Sequence, residues 1–188
     1  MTPLHDVAVP TEKATFCMGC YWAPECTFGV LAGVIRTRVG HAGPEAASLK
    51  DECHEAIEMD FDPSVISYRQ LLDVFWLHHD PTLDVPTEYA SAILYHNAAQ
   101  RELAERSVAE QRCQRVQGTV RTKVLPAAVF YDAESKNQKY RLQQHPWLME
   151  AHILHQYANE VCIVDTRRKL ETLTISLLHC ISSKMYQA

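Results

Sequence analysis

The chain has 188 residues, with 18 Lys+Arg against 23 Asp+Glu and a formal net charge of −5. Hydrophobic residues make up 47% of it and charged residues 22%, which excludes a disordered or fibrous chain and leaves room for one domain with a real core. Because the balance is mildly acidic and the basic residues are scattered, nucleic acid is not expected as a partner. The chain contains no run of 18 apolar, uncharged residues, so no membrane-spanning helix is expected.

In chain order, a short buried strand is predicted over residues 13–17, and residues 34–41 and 55–61 alternate as strands do. The clearest helix follows Asp62-Pro63. There Ser67 and Gln70 form a capping box, and Asp80-Pro81 ends the helix.

The second half of the chain continues the alternation of strands and helices. The pattern predicts a strand over 89–96, a surface helix over 98–116, a strand over 122–131 interrupted at Pro126, and a polar helix over 133–144. Residues 171–181 fit a helix or a strand equally. The whole pattern favours an α/β or α+β sandwich.

Seven cysteines are an odd number for a disulfide framework. Residues 1–12 include His5, Asp6 and Glu12 and lack a basic segment followed by an apolar one, so no secretory signal is expected. The cysteines are therefore interpreted as reduced thiols, and the protein is expected to be cytoplasmic.

The densest group of reactive side chains is residues 15–26, where the first strand ends. Pro24 is typical of a first helical turn, and a cysteine just ahead of a helix N-terminus has a lowered pKa. Gly19 permits a tight turn before Cys20. These features predict that Cys20 is a nucleophile, with the two aromatic residues that follow it walling an apolar cup.

Three other interpretations of these thiols compete with this one. A thioredoxin-like C-x-x-C over residues 17–20 needs a cysteine first in the helix, whereas here the helix-starting Pro24 follows Cys20. A zinc site needs a second pair of ligands, for which Cys53-His54 is available. A buried core thiol is the commonest fate of a free cysteine, and we favour it for Cys17. No metal site is expected.

Residues Gly19-Cys20-Tyr21-Trp22 resemble the Gly-Cys-Phe-Trp signature of the peptide methionine sulfoxide reductase A family. Further family-like motifs follow in order over residues 13–145, at 33–43, 54–68, 71–82, 88–93 and 130–140. The resemblance implies an α+β two-layer sandwich or roll, in which helices flank a mixed β-sheet with a ferredoxin-like core. It also implies a single domain over residues 1–188, with a divergent C-terminal tail over 148–188.

The family resemblance implies reduction of methionine-(S)-sulfoxide, free or in proteins, to methionine through a sulfenic acid on Cys20. Glu55 matches the family's proton donor, which a partly apolar site would keep protonated. Tyr89 matches the tyrosine that hydrogen-bonds the sulfoxide oxygen. The substrate-binding residues implied are Tyr21, Trp22 and Asp84.

The reductant implied by the resemblance is thioredoxin, or DTT in vitro, with no tightly bound cofactor. The expected partners are thioredoxin, oxidised proteins and free methionine sulfoxide, without nucleic acid or membrane, and the protein is expected to be a monomer. Many family members carry the resolving cysteine in a Gly-rich C-terminal tail, whereas no residue after Gly118 of this chain is glycine. Candidate resolving cysteines are Cys180, Cys162, Cys53 and Cys26.

One departure from the family leaves an alternative open. The second site tyrosine is absent on the best alignment, where residues 44–47 read Pro-Glu-Ala-Ala. A lost oxygen-binding hydroxyl would slow the reaction. The alternative is therefore a catalytically impaired protein that binds methionine sulfoxide, or a thiol redox sensor.

Overall fold

The computed structural model describes residues 10–43, 53–114 and 118–145. Six strands form one mixed sheet in the order β5-β4-β1-β3-β2-β6, in which β4 and β5 are parallel and the other pairs are antiparallel. The elements are β1 (Glu12–Cys17), α1 (Trp22–Gly29), β2 (Val34–Gly43), β3 (His54–Phe61), α2 (Tyr68–Leu77), β4 (Ala92–Tyr95), α3 (Ala98–Gln114), β5 (Lys123–Pro126), β6 (Val129–Asp132) and α4 (Tyr140–Gln144). Two short 3-10 turns, Thr87–Tyr89 and Ser135–Asn137, complete the description.

The first six elements run β1-α1-β2-β3-α2-β4, and their strands lie in the spatial order 4-1-3-2. This is the ferredoxin-like arrangement. The predicted α+β class with a mixed sheet and a ferredoxin-like core is therefore confirmed. Within the described ranges, no helix is long and apolar enough to cross a membrane.

The main core lies between one face of the sheet and the helices α1 and α2. The alternation predicted for β3 holds, because Ile57, Met59 and Phe61 are almost fully buried in this core. Phe16 on β1 is central to it, with its ring centroid 5.5 Å from that of Phe28 on α1. Burial of such side chains supplies most of the driving force for folding.

Helix α2 begins where the capping box predicts. Ser67 accepts a hydrogen bond from the Gln70 backbone N–H, and the Ser67 backbone N–H donates to the Gln70 side chain at 2.9 Å. The helix ends at Leu77, before Asp80-Pro81, and it buries Leu71 fully.

The opposite face of the sheet carries a small cluster built around Cys17, Ala42, Ala56 and Ala92, all nearly inaccessible. Only two residues, 127 and 128, connect β5 to β6, although these strands stand at opposite ends of the strand order. Two residues hold the facing strand ends within about 11 Å. The sheet is therefore curled, and small side chains fit its inner face.

An ion-pair cluster also covers part of this second face. Glu58 on β3 is 7% exposed and accepts hydrogen bonds from Lys13 at 3.0 Å and from Arg38 at 2.6 Å. Asp60 pairs with Lys13 and with Arg36. Burial alone would raise the pKa of Glu58, but the hydrogen bonds from Lys13 and Arg38 hold it below the ordinary value.

A carboxyl group whose pKa is lower in the folded than in the unfolded protein stabilises the fold at pH values above its unfolded-state pKa. This stabilisation is lost as the pH falls through its folded-state pKa. Glu58→Gln is therefore expected to lower the free energy of unfolding by about 1 kcal/mol near neutrality, because both partners are partly exposed. The difference should shrink below about pH 4. Urea denaturation at several pH values measures it, and a difference that stays constant with pH would contradict this assignment.

Three predicted elements are wrong in extent. The strand predicted over 89–96 is shorter, because Tyr89 lies in a 3-10 turn before β4. The strand predicted over 122–131 is two strands, since Pro126 ends β5 and the chain crosses to the other edge. The polar helix predicted over 133–144 is interrupted by Lys139, whose φ of 57° is incompatible with a helix.

Candidate active site

Cys20 lies in the turn that joins β1 to α1. Gly19 has a φ of 81°, a conformation that glycine adopts without strain, and it turns the chain so that Cys20 is exposed. Cys17, three residues earlier, is fully buried on the inner face of the sheet, which confirms its predicted place in the core. The two thiols of the C-x-x-C pattern therefore have opposite environments.

The thiol of Cys20 is hydrogen-bonded to the Glu55 carboxyl, and the Trp22 backbone N–H at the start of α1 also points to it. Burial raises the pKa of the thiol, the Trp22 N–H lowers it, Glu55 raises it and Arg141 lowers it. The net direction is upward. The lowered pKa predicted from the helix N-terminus is thus wrong, because burial and the neighbouring carboxyl outweigh the helix.

Glu55 projects from β3 and is 8% exposed. Its Oε2 accepts a hydrogen bond from the Tyr21 backbone N–H at 3.0 Å. Burial raises the pKa of Glu55, and Glu88 raises it further. The direction agrees with the expectation that a carboxyl in a partly apolar site retains its proton.

Cys20 and Glu55 together form a unit that can share one proton. In one form the thiol donates to a carboxylate; in the other a thiolate lies beside a carboxylic acid. The raised pKa of Glu55 favours the second form, which combines a strong nucleophile with a proton donor at the same point. Such a pair can attack an electrophilic atom and protonate the group attached to it.

Two tyrosines face this unit. Tyr89, in the 3-10 turn Thr87–Tyr89, is 39% exposed, and the pKa of its hydroxyl is raised by Glu55 and Glu88. Tyr21 is 7% exposed, and burial raises its pKa to about 12. Both hydroxyls therefore remain hydrogen-bond donors at physiological pH.

An aromatic wall stands beside the thiol. Trp22 stacks on Tyr140 of α4, with ring centroids 4.2 Å apart and planes at 25°. Tyr21 contacts Trp22 edge to face at 6.5 Å and His41 at 5.9 Å. The predicted aromatic cup thus contains Tyr140 as well, a residue to which the sequence assigned no role.

A buried ion pair fixes α4 against α1. Glu25 is 1% exposed, and its carboxylate accepts from the Lys139 side chain at 2.7 Å and from the Lys139 backbone N–H at 2.5 Å. The Lys139 ammonium also donates to Thr37 on β2. This contact holds Tyr140 in place behind Trp22. The sequence around Lys139 is polar, so it did not predict that this side chain would reach the buried Glu25 carboxylate.

Lys139→Met is expected to destabilise the protein by about 3–5 kcal/mol, because it leaves the buried Glu25 carboxylate without its cation. The double variant Glu25→Leu/Lys139→Met should recover part of the loss, since no buried charge then remains. Urea denaturation of both variants measures this. Equal stability of Lys139→Met and the parent would show that the pair contributes nothing.

Glu88 is a second acidic residue beside Glu55, and the sequence did not mark it as part of the site. The ligand atoms of His41, Glu55 and Glu88 all lie within 4.8 Å of one another. The Glu55 carboxyl already binds the Tyr21 N–H and the Cys20 thiol, so we assign the cluster to proton chemistry rather than to a metal. The register of the β2–β3 pair, in which His41 faces Glu55, is the signal that brings them together.

Asp84 is 80% exposed, and its carboxylate pairs with Arg121 at 3.0 Å. It lines a groove of about 760 Å³ between the loop before β4, α3 and β5. The substrate-binding role of Asp84 stays a prediction, and its ion pair directs the carboxylate to Arg121.

The candidate resolving cysteines fall into two groups. Cys162 and Cys180 lie outside the described residues. Cys26 is 4% exposed on α1, and burial raises its pKa to about 11. Cys53, which is two residues before Glu55, is fully buried, and its sulfur lies against Gly43. Cys113 is exposed on α3, as expected for a thiol on a surface helix.

The fold and this site match a known family. The family model for peptide methionine sulfoxide reductase matches residues 12–169, which extends beyond the motifs that end at residue 145. The chain is 42% identical to a peptide methionine sulfoxide reductase of Drosophila melanogaster over 77% of this chain and 61% of that protein. It is 40% identical to MsrA of Methanococcoides burtonii over 69% of this chain and 94% of that protein. The chain belongs to the peptide methionine sulfoxide reductase family.

Solved structures agree on the fold. Reduced Mxr1 of Saccharomyces cerevisiae superposes with a TM-score of 0.67 and 25% identity, over 77% of this chain and 91% of that one. Methionine sulfoxide reductase A of Corynebacterium diphtheriae superposes with a TM-score of 0.61 and 27% identity, over 72% of this chain and 76% of that one. Mxr1 has also been solved in complex with Trx2. The chain spans about three fifths of the length of the Drosophila relative.

Proposed function

We propose that the chain is a peptide-methionine (S)-S-oxide reductase, acting on methionine-(S)-sulfoxide free or in proteins. The observation that carries the proposal is the Cys20 thiol hydrogen-bonded to a Glu55 carboxyl whose pKa is raised, beside an aromatic wall. Membership of the family supports the same substrate. The chain would act as a single domain over residues 1–188, in the cytoplasm.

In the first half-reaction, the Cys20 proton passes to Glu55, and the thiolate attacks the sulfoxide sulfur. Glu55 returns the proton to the sulfoxide oxygen as the oxygen is transferred to Cys20. Methionine leaves, and Cys20 becomes a sulfenic acid. One thiol and one sulfoxide thus give one sulfenic acid and one thioether, with no proton gained or lost overall.

The substrate would lie against the aromatic wall. The sulfoxide methyl group packs on Tyr21 and Trp22, which offer apolar surface next to the thiol. The Tyr89 hydroxyl, kept protonated by the acidic groups around it, donates to the sulfoxide oxygen. Asp84 is retained as a weaker candidate for substrate binding.

In the second half-reaction, another thiol attacks the sulfenic acid and releases water, giving a disulfide that thioredoxin reduces. The resolving thiol is one of Cys26, Cys53, Cys162 and Cys180. Cys53 is the internal candidate we favour, because it lies only two residues before Glu55, immediately ahead of β3. The Mxr1 complex with Trx2 supports thioredoxin as the type of partner.

The proposal is tested with the full chain, DTT and the two dabsyl-methionine sulfoxide epimers. Reduction of the S epimer and not of the R epimer is expected. Binding of the S epimer without any methionine product would favour the binding-protein alternative. A sulfenic acid formed with peroxide, but not with the sulfoxide, would favour the redox sensor.

A further inference from the structure

Glu88 occupies a place in the site that no step above uses. It lies in the 3-10 turn Thr87–Tyr89, directly before Tyr89. Its carboxylate lies beside the Glu55 carboxyl and the His41 imidazole. One carboxylate oxygen of each glutamate and one ring nitrogen of His41 all lie within 4.8 Å of one another. The closest approach of Glu88 to the His41 Nε2 is 3.9 Å.

The groups around Glu55 come from three parts of the fold. Cys20 and the Tyr21 N–H approach it from the turn before α1 and from the helix start. His41 faces it from β2. Glu88 and Tyr89 approach from the 3-10 turn, while Arg141 on α4 acts on the thiol.

Two carboxyl groups this close disfavour the state in which both are ionised. The Glu88 side chain is 28% exposed, whereas Glu55 is 8% exposed. Water stabilises the charge on the more exposed member, so the proton stays with Glu55. An imidazole offsets the repulsion only in its protonated form.

We propose that Glu88 is a positioning residue for the reduction: its carboxylate, beside that of Glu55, keeps on Glu55 the proton that the sulfoxide oxygen takes up. Glu88 itself gains and loses no proton in the step. Its carboxylate also accepts a hydrogen bond from the Tyr89 hydroxyl, which steadies the second oxygen-binding group. The proposal deepens the proposed function and rests on it.

The test is Glu88→Gln, which keeps the shape of the side chain and removes its charge. Without that charge Glu55 loses its proton at a lower pH. The variant should therefore reduce methionine-(S)-sulfoxide about tenfold more slowly in kcat/KM from neutral to alkaline pH, for a change of about one pH unit in Glu55. Toward acidic pH the two proteins should converge, because Glu55 is then protonated in both.

A direct readout does not depend on turnover. In Cys20→Ser protein labelled with ¹³C at the glutamate carboxyls, the Glu55 resonance is expected to titrate about one pH unit lower when Glu88→Gln is added. Glu88→Asp keeps the charge and should restore most of the lost activity. Glu102→Gln removes an exposed charge on α3 and serves as the control, with an unchanged pH profile.

The outcomes are distinct. An unchanged Glu55 titration in Glu88→Gln would overturn the proposal, even if activity fell. A loss of activity that is the same at every pH would also overturn it, because it would indicate a structural role. If the parent protein reduced neither epimer, the proposed function would fail, while the ¹³C titration would still decide the effect of Glu88 on Glu55.

Discussion

Cys20→Ser is expected to lower reduction of methionine-(S)-sulfoxide by at least about a thousandfold, because a serine hydroxyl at this place lacks both the nucleophilicity of sulfur and the ability to carry the oxygen away. The raised pKa of Cys20 sharpens this prediction. The form that attacks is the thiolate of Cys20 beside a Glu55 that carries the shared proton, and a serine hydroxyl holds its own proton far more tightly than a thiol does.

Cys113→Ser is the matched control, since Cys113 is exposed on α3, away from the turn before α1. It should react at the parent rate. Activity that survives Cys20→Ser would mean that another thiol is the nucleophile. Mass spectrometry after one turnover without reductant should place the added oxygen, or the disulfide derived from it, on Cys20.

Glu55→Gln is expected to slow the reaction by about 100- to 1,000-fold, because an amide keeps the hydrogen bonds to the site but cannot transfer a proton to the oxygen. The same change should have the opposite effect on thiol reactivity. Glu55 raises the pKa of Cys20 through its charge and its hydrogen bond. Its removal should therefore increase the alkylation rate of Cys20 by iodoacetamide at neutral pH.

Misfolding has to be distinguished from this catalytic effect, because an unfolded variant would also expose the Cys20 thiol and lose activity. Glu55→Gln should therefore keep cooperative unfolding in urea, which an unfolded variant would lose. Glu102→Gln should leave both rates unchanged. Equal losses of alkylation and reduction would contradict the role of Glu55 as the proton donor.

Much of the fold was predictable because the elements of the first half carry strong local signals. Alternation defined β3, and the Ser67–Gln70 capping box defined the start of α2. The second half was less predictable. A sequence does not reveal that Pro126 separates two strands at opposite edges, because that depends on the curl of the sheet. Nor does it reveal the left-handed Lys139, which is held by the buried Glu25.

The site divides in the same way. The structure brings together Cys20, Glu55, Tyr89 and the aromatic pair, which a short motif and the family resemblance had marked. Glu88 was not marked, because it is close to Glu55 only through the register of β2 with β3 and the position of the 3-10 turn. The pKa of Cys20 was predicted in the wrong direction, since a helix N-terminus is visible in sequence and burial is not.

The two-residue connection between β5 and β6 also determines how the two edges of the described sheet are placed. Open sheet edges are templates on which strands of other molecules add, and proteins limit them with short or blocked strands. Among the strands of the described residues, the two outer ones have four residues each, β5 ends in a proline, and the covalent link holds the two edges near each other. The described part of the chain thereby exposes little sheet-edge backbone on which the strands of misfolded proteins could add.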